Sequence, residues 1–104
     1  MTTTAPRRGL PATHPGEILR EDVIPALGKS VAEIARLLHV SRQTLHAILR
    51  AEAPVTSAMA LKLGKLCGNG PTLWLNLQRN YDLDRLSESM AAEIENIPTL
   101  QAAE

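Results

Sequence analysis

The sequence predicts an all-α protein, a bundle of five or six helices, on three observations. The chain has 104 residues, enough for one core and too few for two. Its apolar residues are almost all Leu, Ala, Ile and Val, with one Trp, one Tyr and no Phe. Leu and Ala favour helix, and the residues that favour sheets are sparse. Apolar positions also recur at i, i+3 and i+4 between cap residues and Gly or Pro breaks.

Residues 1–13, rich in Thr, Pro and Arg without periodicity, read as a flexible N-terminal arm. A first helix begins near His14-Pro15-Gly16-Glu17, carries Ile18, Leu19, Val23 and Ile24 inward, and is expected to stop at Pro25. Leu27-Gly28-Lys29 reads as a turn. Ser30-Val31-Ala32-Glu33 has the form of a capping box, in which serine hydroxyl and glutamate carboxylate each satisfy the other residue's amide. The helix behind it, Val31 to Leu38, turns Val31, Ile34, Ala35 and Leu38 inward. His39 stands where a stopping helix needs a left-handed residue; histidine tolerates that conformation better than most non-glycine residues. Val40 then folds back onto Ile34 or Ala35, and Ser41 caps the next helix. The break spans about three residues, the length of a helix-turn-helix unit.

The third helix places Leu45, Ile48 and Leu49 on one side and Arg42, Gln43, His46, Ala47 and Arg50 on the other. Glu52 to Val55 is a loop, and Thr56 caps a fourth helix whose inner stripe is Met59, Ala60, Leu63 and Leu66, with Lys62 and Lys65 outside. Gly64 inside that helix costs about 1 kcal/mol against Ala, which close packing explains. Gly68-Asn69-Gly70 ends it, and Pro71 suits the first turn of a fifth helix. Leu73, Trp74, Leu77 and Tyr81 share one face there. Trp74 is read as core and Leu75, off that stripe, as a dimer contact. Leu83, Leu86, Met90, Ile94 and Ile97 continue as a seam, assigned to a second chain in preference to the chain's own domain. The chain thus divides into the arm 1–13, a domain 14–82, and a C-terminal helix and tail 83–104.

Net charge is zero, yet its distribution is uneven. From Lys29 to Leu66 stand Lys29, Arg36, Arg42, Arg50, Lys62 and Lys65 against Glu33 and Glu52. From Cys67 on, Arg79 and Arg85 face Asp82, Asp84, Glu88, Glu93, Glu95 and Glu104. A basic middle and an acidic end point to a polyanion surface and a separate role for the end. The major groove of B-DNA admits one α-helix and displays a distinguishable pattern for each base pair. A helix that reads it must be apolar behind and polar in front, and Ser41 to Arg50 meets that requirement. Arg42 can fork onto guanine O6 and N7, and Gln43 can pair with adenine N6 and N7. Ala47 leaves room for a thymine methyl, Ser41 and Thr44 offer hydroxyls, and His46 and Arg50 suit the backbone. Lys29, Arg36, Arg50, Lys62 and Lys65 are candidates to neutralise phosphates.

Catalysis finds no support. Ser41 and His46, five apart on one helix, do not bring nucleophile to base. His14, His39 and His46 form no metal-binding pattern, and there is no glycine-rich phosphate loop. The sequence therefore points to no enzyme, metal or cofactor. The lone Cys67 reads as a small buried hydrophobe. No apolar run approaches the roughly 20 residues that span a bilayer, and residues 1–13 lack a secretory core, so the expected compartment is the cytoplasm.

The strings His14-Pro15-Gly16-Glu17-Ile18-Leu19, Val40-Ser41-Arg42-Gln43-Thr44-Leu45, Thr56-Ser57-Ala58-Met59-Ala60-Leu61-Lys62-Leu63, Trp74-Leu75-Asn76-Leu77-Gln78 and Asn80-Tyr81-Asp82-Leu83 resemble the HigA-type (VapI-like) antitoxins. These belong to the Xre/phage-repressor class, whose fold is the lambda-repressor-like helix-turn-helix bundle. The resemblance runs from His14 to Leu83. It implies the antitoxin of a type II HigB–HigA toxin–antitoxin system, which neutralises a RelE-like mRNA endonuclease toxin. It also implies a homodimer that represses its own operon by binding double-stranded operator DNA. The family's DNA-contacting segment falls on Ser41, Arg42, Gln43 and Thr44. The chain departs from the pattern at His39, where Gly is usual, and at Gly70-Pro71-Thr72, which replaces a Ser/Thr-Pro-Glu cap. The alternative is a stand-alone Xre-type transcriptional regulator without a toxin partner.

Overall fold

The computed structural model describes residues 12–102, so most of the N-terminal arm lies outside the described residues. Six helices and no strand are found among them. Helix α1 covers residues 15–27 as three continuous pieces: Pro15–Ile18, a π-helical turn Leu19–Val23, and Ile24–Leu27. There follow α2 (Val31–Leu38), α3 (Arg42–Leu49), α4 (Ser57–Cys67), α5 (Pro71–Ser89) and α6 (Ala91–Glu95).

Pro25 does not end α1. Proline lacks an amide hydrogen and collides with the carbonyl four residues back in a regular helix. Here the preceding turn is widened, with the Ile24 amide donating to the Leu19 carbonyl, and the chain passes through Pro25 to Leu27. Gly28 ends it in the left-handed region at φ 68°.

The caps expected around α2 and α3 are present. Ser30 Oγ accepts from the Glu33 amide at 3.1 Å, but the reciprocal half of the capping box is replaced. The Glu33 carboxylate turns to Arg36 at 3.5 Å and Lys29 at 3.8 Å. His39 adopts φ 62°, ψ 42°, donating to the Arg36 carbonyl while the Val40 amide donates to Ala35 at 3.0 Å. These two bonds close the end of α2 as a Schellman motif. Thr56 Oγ1 caps α4 by accepting from the Met59 amide.

The core gathers Leu19 and Ile24 of α1, Ile34, Ala35 and Leu38 of α2, Leu45, Ile48 and Leu49 of α3, Val55, Met59, Ala60 and Leu63 around α4, and Trp74 of α5. Trp74 is buried as expected, and its indole N–H donates to Asn69 Oδ1 at 3.1 Å. One assignment on α5 is corrected, and a second residue has a contact within the chain. Leu73 is 45% exposed and lies off the buried face, where Gln78 takes its place. Leu75, expected at a dimer contact, is half-buried against the core. Gly64 is tightly packed: an added Cβ would sit 2.3 Å from the Gly70 carbonyl carbon.

Helix α5 runs uninterrupted past residues 82 and 83, and its second half leaves the core. Leu83, Leu86, Ile94 and Ile97 are each more than half exposed, and α6 buries none of its residues. No helix among the described residues is long and apolar enough to cross a membrane.

Candidate nucleic-acid interface

Helix α3 is held from behind and open in front. Leu45, Ile48 and Leu49 are buried in the core, whereas Ser41, Arg42, Gln43, Thr44, His46 and Arg50 are exposed and Ala47 is half-buried. The inner and outer sets are those read from periodicity. Arg42 and Gln43, in the first turn, have no ion pair or side-chain hydrogen bond among the described residues.

The two hydroxyls at the start of α3 are not equivalent. Ser41 Oγ accepts from the Thr44 amide at 3.0 Å and donates to Thr44 Oγ1 at 2.8 Å. The serine is thereby committed to the cap, and the threonine hydroxyl keeps the outward-going proton. The uncapped amides of this first turn carry the positive end of the helix dipole. At the other end, Arg50 Nε pairs with Glu52 at 3.1 Å. Exposed pairs of this kind contribute well under about 1 kcal/mol and exchange readily for other anions.

Four residues support this face through contacts that the sequence did not reveal. Gly16 lets α1 approach α3, since a Cβ there would lie 1.7 Å from the Ile48 carbonyl oxygen. Arg20 donates to the Leu49 carbonyl at 3.2 Å, a cation at the negative end of α3. Gln78 is buried; its Oε1 accepts from the Val55 amide at 2.7 Å while its Nε2 donates to Asp82 at 3.0 Å. It therefore fixes the α3–α4 connection against α5. Lys62, expected on the outer face, is half-buried and donates to the His39 carbonyl at 3.3 Å, bracing the turn between α2 and α3. Gly16 and Gln78 stand inside the strings quoted above, so the pattern marked their positions without revealing their task.

His14 is a structural residue. Its Nδ1 accepts from the Gly16 amide at 2.8 Å, capping α1, and its ring meets Tyr81 edge-on at 4.8 Å. Burial lowers its pKa, partly opposed by the charge of Asp82 and the Ala53 backbone. With Nδ1 committed as an acceptor, His14 and Glu17 do not make a ligand pair. Cys67 is half-buried, and burial raises its thiol pKa, as befits an unreactive side chain.

Such a surface, with paired caps, a rigid back and free long polar side chains in front, suits insertion into a groove of duplex DNA. Relatives agree with this geometry. A model of the helix-turn-helix domain family matches residues 17–74. Virulence-associated protein I of Dichelobacter nodosus is 40% identical over 83 residues, covering 80% of this chain and 77% of that protein. The structure of antitoxin GraA in complex with its operator superimposes with a TM-score of 0.81 at 37% identity, covering 94% of this chain and all of that one. Pseudomonas aeruginosa antitoxin HigA, solved with the higBA promoter, gives 0.79 at 33% identity, covering 86% and 99%.

Proposed function

This chain belongs to the Xre-type helix-turn-helix family, among its HigA-type antitoxins, and from that premise we propose that it is the antitoxin of a HigB–HigA pair. In this reading it neutralises a RelE-like endonuclease in the cytoplasm and represses its own operon as a homodimer. One observation carries the DNA-binding part: Arg42 and Gln43 leave the first turn of a helix whose back is fully anchored, and both are exposed. The operator complexes of GraA and HigA, similar over most of their length, support operator DNA as the partner, and the exposed first turn of α3 suits the major groove.

The residue roles follow from chemistry. Arg42 donates in fork geometry to guanine O6 and N7, and Gln43 pairs with adenine N6 and N7. The Thr44 hydroxyl and the uncapped amides of the first turn of α3 face phosphate. Ala47 admits a thymine methyl, while His46 and Arg50 meet the backbone. Dimer formation is supported by the apolar side chains that α5 and α6 leave in solvent, Leu83, Leu86 and Ile94 among them.

The test is a shift assay on the DNA upstream of the gene, with co-purification of the neighbouring gene's product. Arg42→Ala is expected to weaken operator binding by roughly tenfold or more, each bidentate contact discriminating by about 1–3 kcal/mol. Binding to unrelated DNA should fall much less. An Arg42→Ala, Gln43→Ala double variant that held the operator as the parent does would contradict the site. Failure to retain any small basic partner would leave a repressor without a toxin.

A further inference from the structure

Between α2 and α4 lies a groove of about 340 Å³ lined by Leu37, Leu38, His39, Leu61, Lys62, Lys65 and Leu66. Its floor is aliphatic, Leu37 is 40% and Leu61 63% exposed, and its charged lining is lysine, with no carboxylate among the described residues. Apolar side chains left in water beside cations call for an occupant that is apolar and acidic. A basic partner would be repelled.

The chain carries a segment of that chemistry. After Arg85 there is no Lys or Arg, and Glu88, Glu93, Glu95 and Glu104 follow. Just past the end of α6 the Ile97 amide donates to the Ile94 carbonyl at 3.0 Å, which closes a turn between the two isoleucines. They are 52% and 59% exposed, and Leu100 is 86% exposed. The same chain does not place this segment in its own groove, since no residue beyond Leu66 lines it.

Resting on the dimeric reading above, we infer that the α2–α4 groove receives residues 91–102 of a second copy of the chain. Ile94, Ile97 and Leu100 enter between Leu37, Leu61 and Leu66, and Glu93 and Glu95 lie against Lys62 and Lys65. The exchange is reciprocal under a two-fold axis, each copy giving one arm and receiving one. It also assigns a role to the two lysines other than neutralising phosphate. Lys62 already holds the turn ahead of α3 through His39, so the arm of one copy would stiffen the reading head of the other.

The experiment uses full-length chains in a Cys67→Ala background, one preparation carrying Leu61→Cys and another Ile97→Cys, both at well-exposed positions. They are mixed and treated with a short bis-maleimide. A cross-link that forms only in the mixture is expected. If Ile97→Cys chains instead link to one another as efficiently, the arms pair symmetrically; the groove assignment falls while the dimer stands. A dimer without any link overturns the groove assignment as well. If the parent chain sediments as a monomer, the dimeric reading itself fails. A second variant, Leu61→Glu, should keep its helical circular dichroism and raise the dimer dissociation constant by at least about tenfold. An unchanged constant would also overturn the inference.

Discussion

Gly16 shows how much a single missing side chain can decide. A methyl group there would occupy the space of the Ile48 carbonyl, so Gly16→Ala must push α1 away from the last turn of α3. Overpacking of this sort costs about 1–3 kcal/mol and at times more. The expected result is a clearly lower urea midpoint with unchanged slope, and a parental midpoint would show that the approach is looser than described. His14, two residues earlier, caps the same helix through a neutral ring. Its native pKa lies below the ordinary histidine value of about 6.5, so the unfolded chain takes up the proton first. Stability from this group is therefore complete above about pH 6.5 and declines as pH falls toward the lowered native value. His14→Asn, which keeps a capping oxygen without titrating, should show a smaller loss of melting temperature between pH 7.5 and pH 5. Equal losses in the two proteins would remove His14 as the cause.

At the scale of elements, α3 is a helix of eight residues, too short to persist alone in water. Its shape is imposed by its neighbours. Ser41 and the Val40 turn hold its start, Arg20 and Gly16 its end, and beyond it Ala51 accepts a left-handed φ of 61° so that the Ala51 and Glu52 amides can satisfy Ile48 and Ala47. Gln78 then ties the following loop to α5. Gln78→Leu keeps the volume but strands the buried Val55 amide, which should cost about 1–3 kcal/mol. Operator affinity should fall in parallel with stability, and saturating DNA should raise the variant's melting temperature back toward that of the parent. A stable variant would mean that Val55 finds another acceptor.

For the whole molecule, zero net charge does not weaken the expectation of a polyanion partner, because what attracts phosphate is the local field. Operator binding should decline steeply with salt, as it does when several phosphates are neutralised at once. A two-fold dimer carries two copies of α3, which should protect half-sites about one helical turn, roughly 34 Å, apart. Replacing Leu83 and Leu86 together with Ser, at positions more than half exposed, should leave the domain folded and reduce the footprint to one weak half-site. A full two-part footprint from that variant would move the dimer contact elsewhere.

Caps and periodicity are local, and local signals are what a sequence states directly. Ser30, His39, Ser41 and Thr56 could be located because each acts on amides or carbonyls within a few residues of itself, and the inner and outer sides of α3 because they repeat every turn. The resemblance to HigA-type antitoxins added the class of molecule. The structure alone decided what depends on approach across the fold. It carried α1 through Pro25 by a widened turn, exchanged Leu73 for Gln78 on the buried face of α5, drew Leu75 against the core, and committed Lys62 to the His39 carbonyl. In each case the deciding partner is distant along the chain or the decision lies in helix register, so the free energy comes from packing and desolvation between elements that no short window of residues contains.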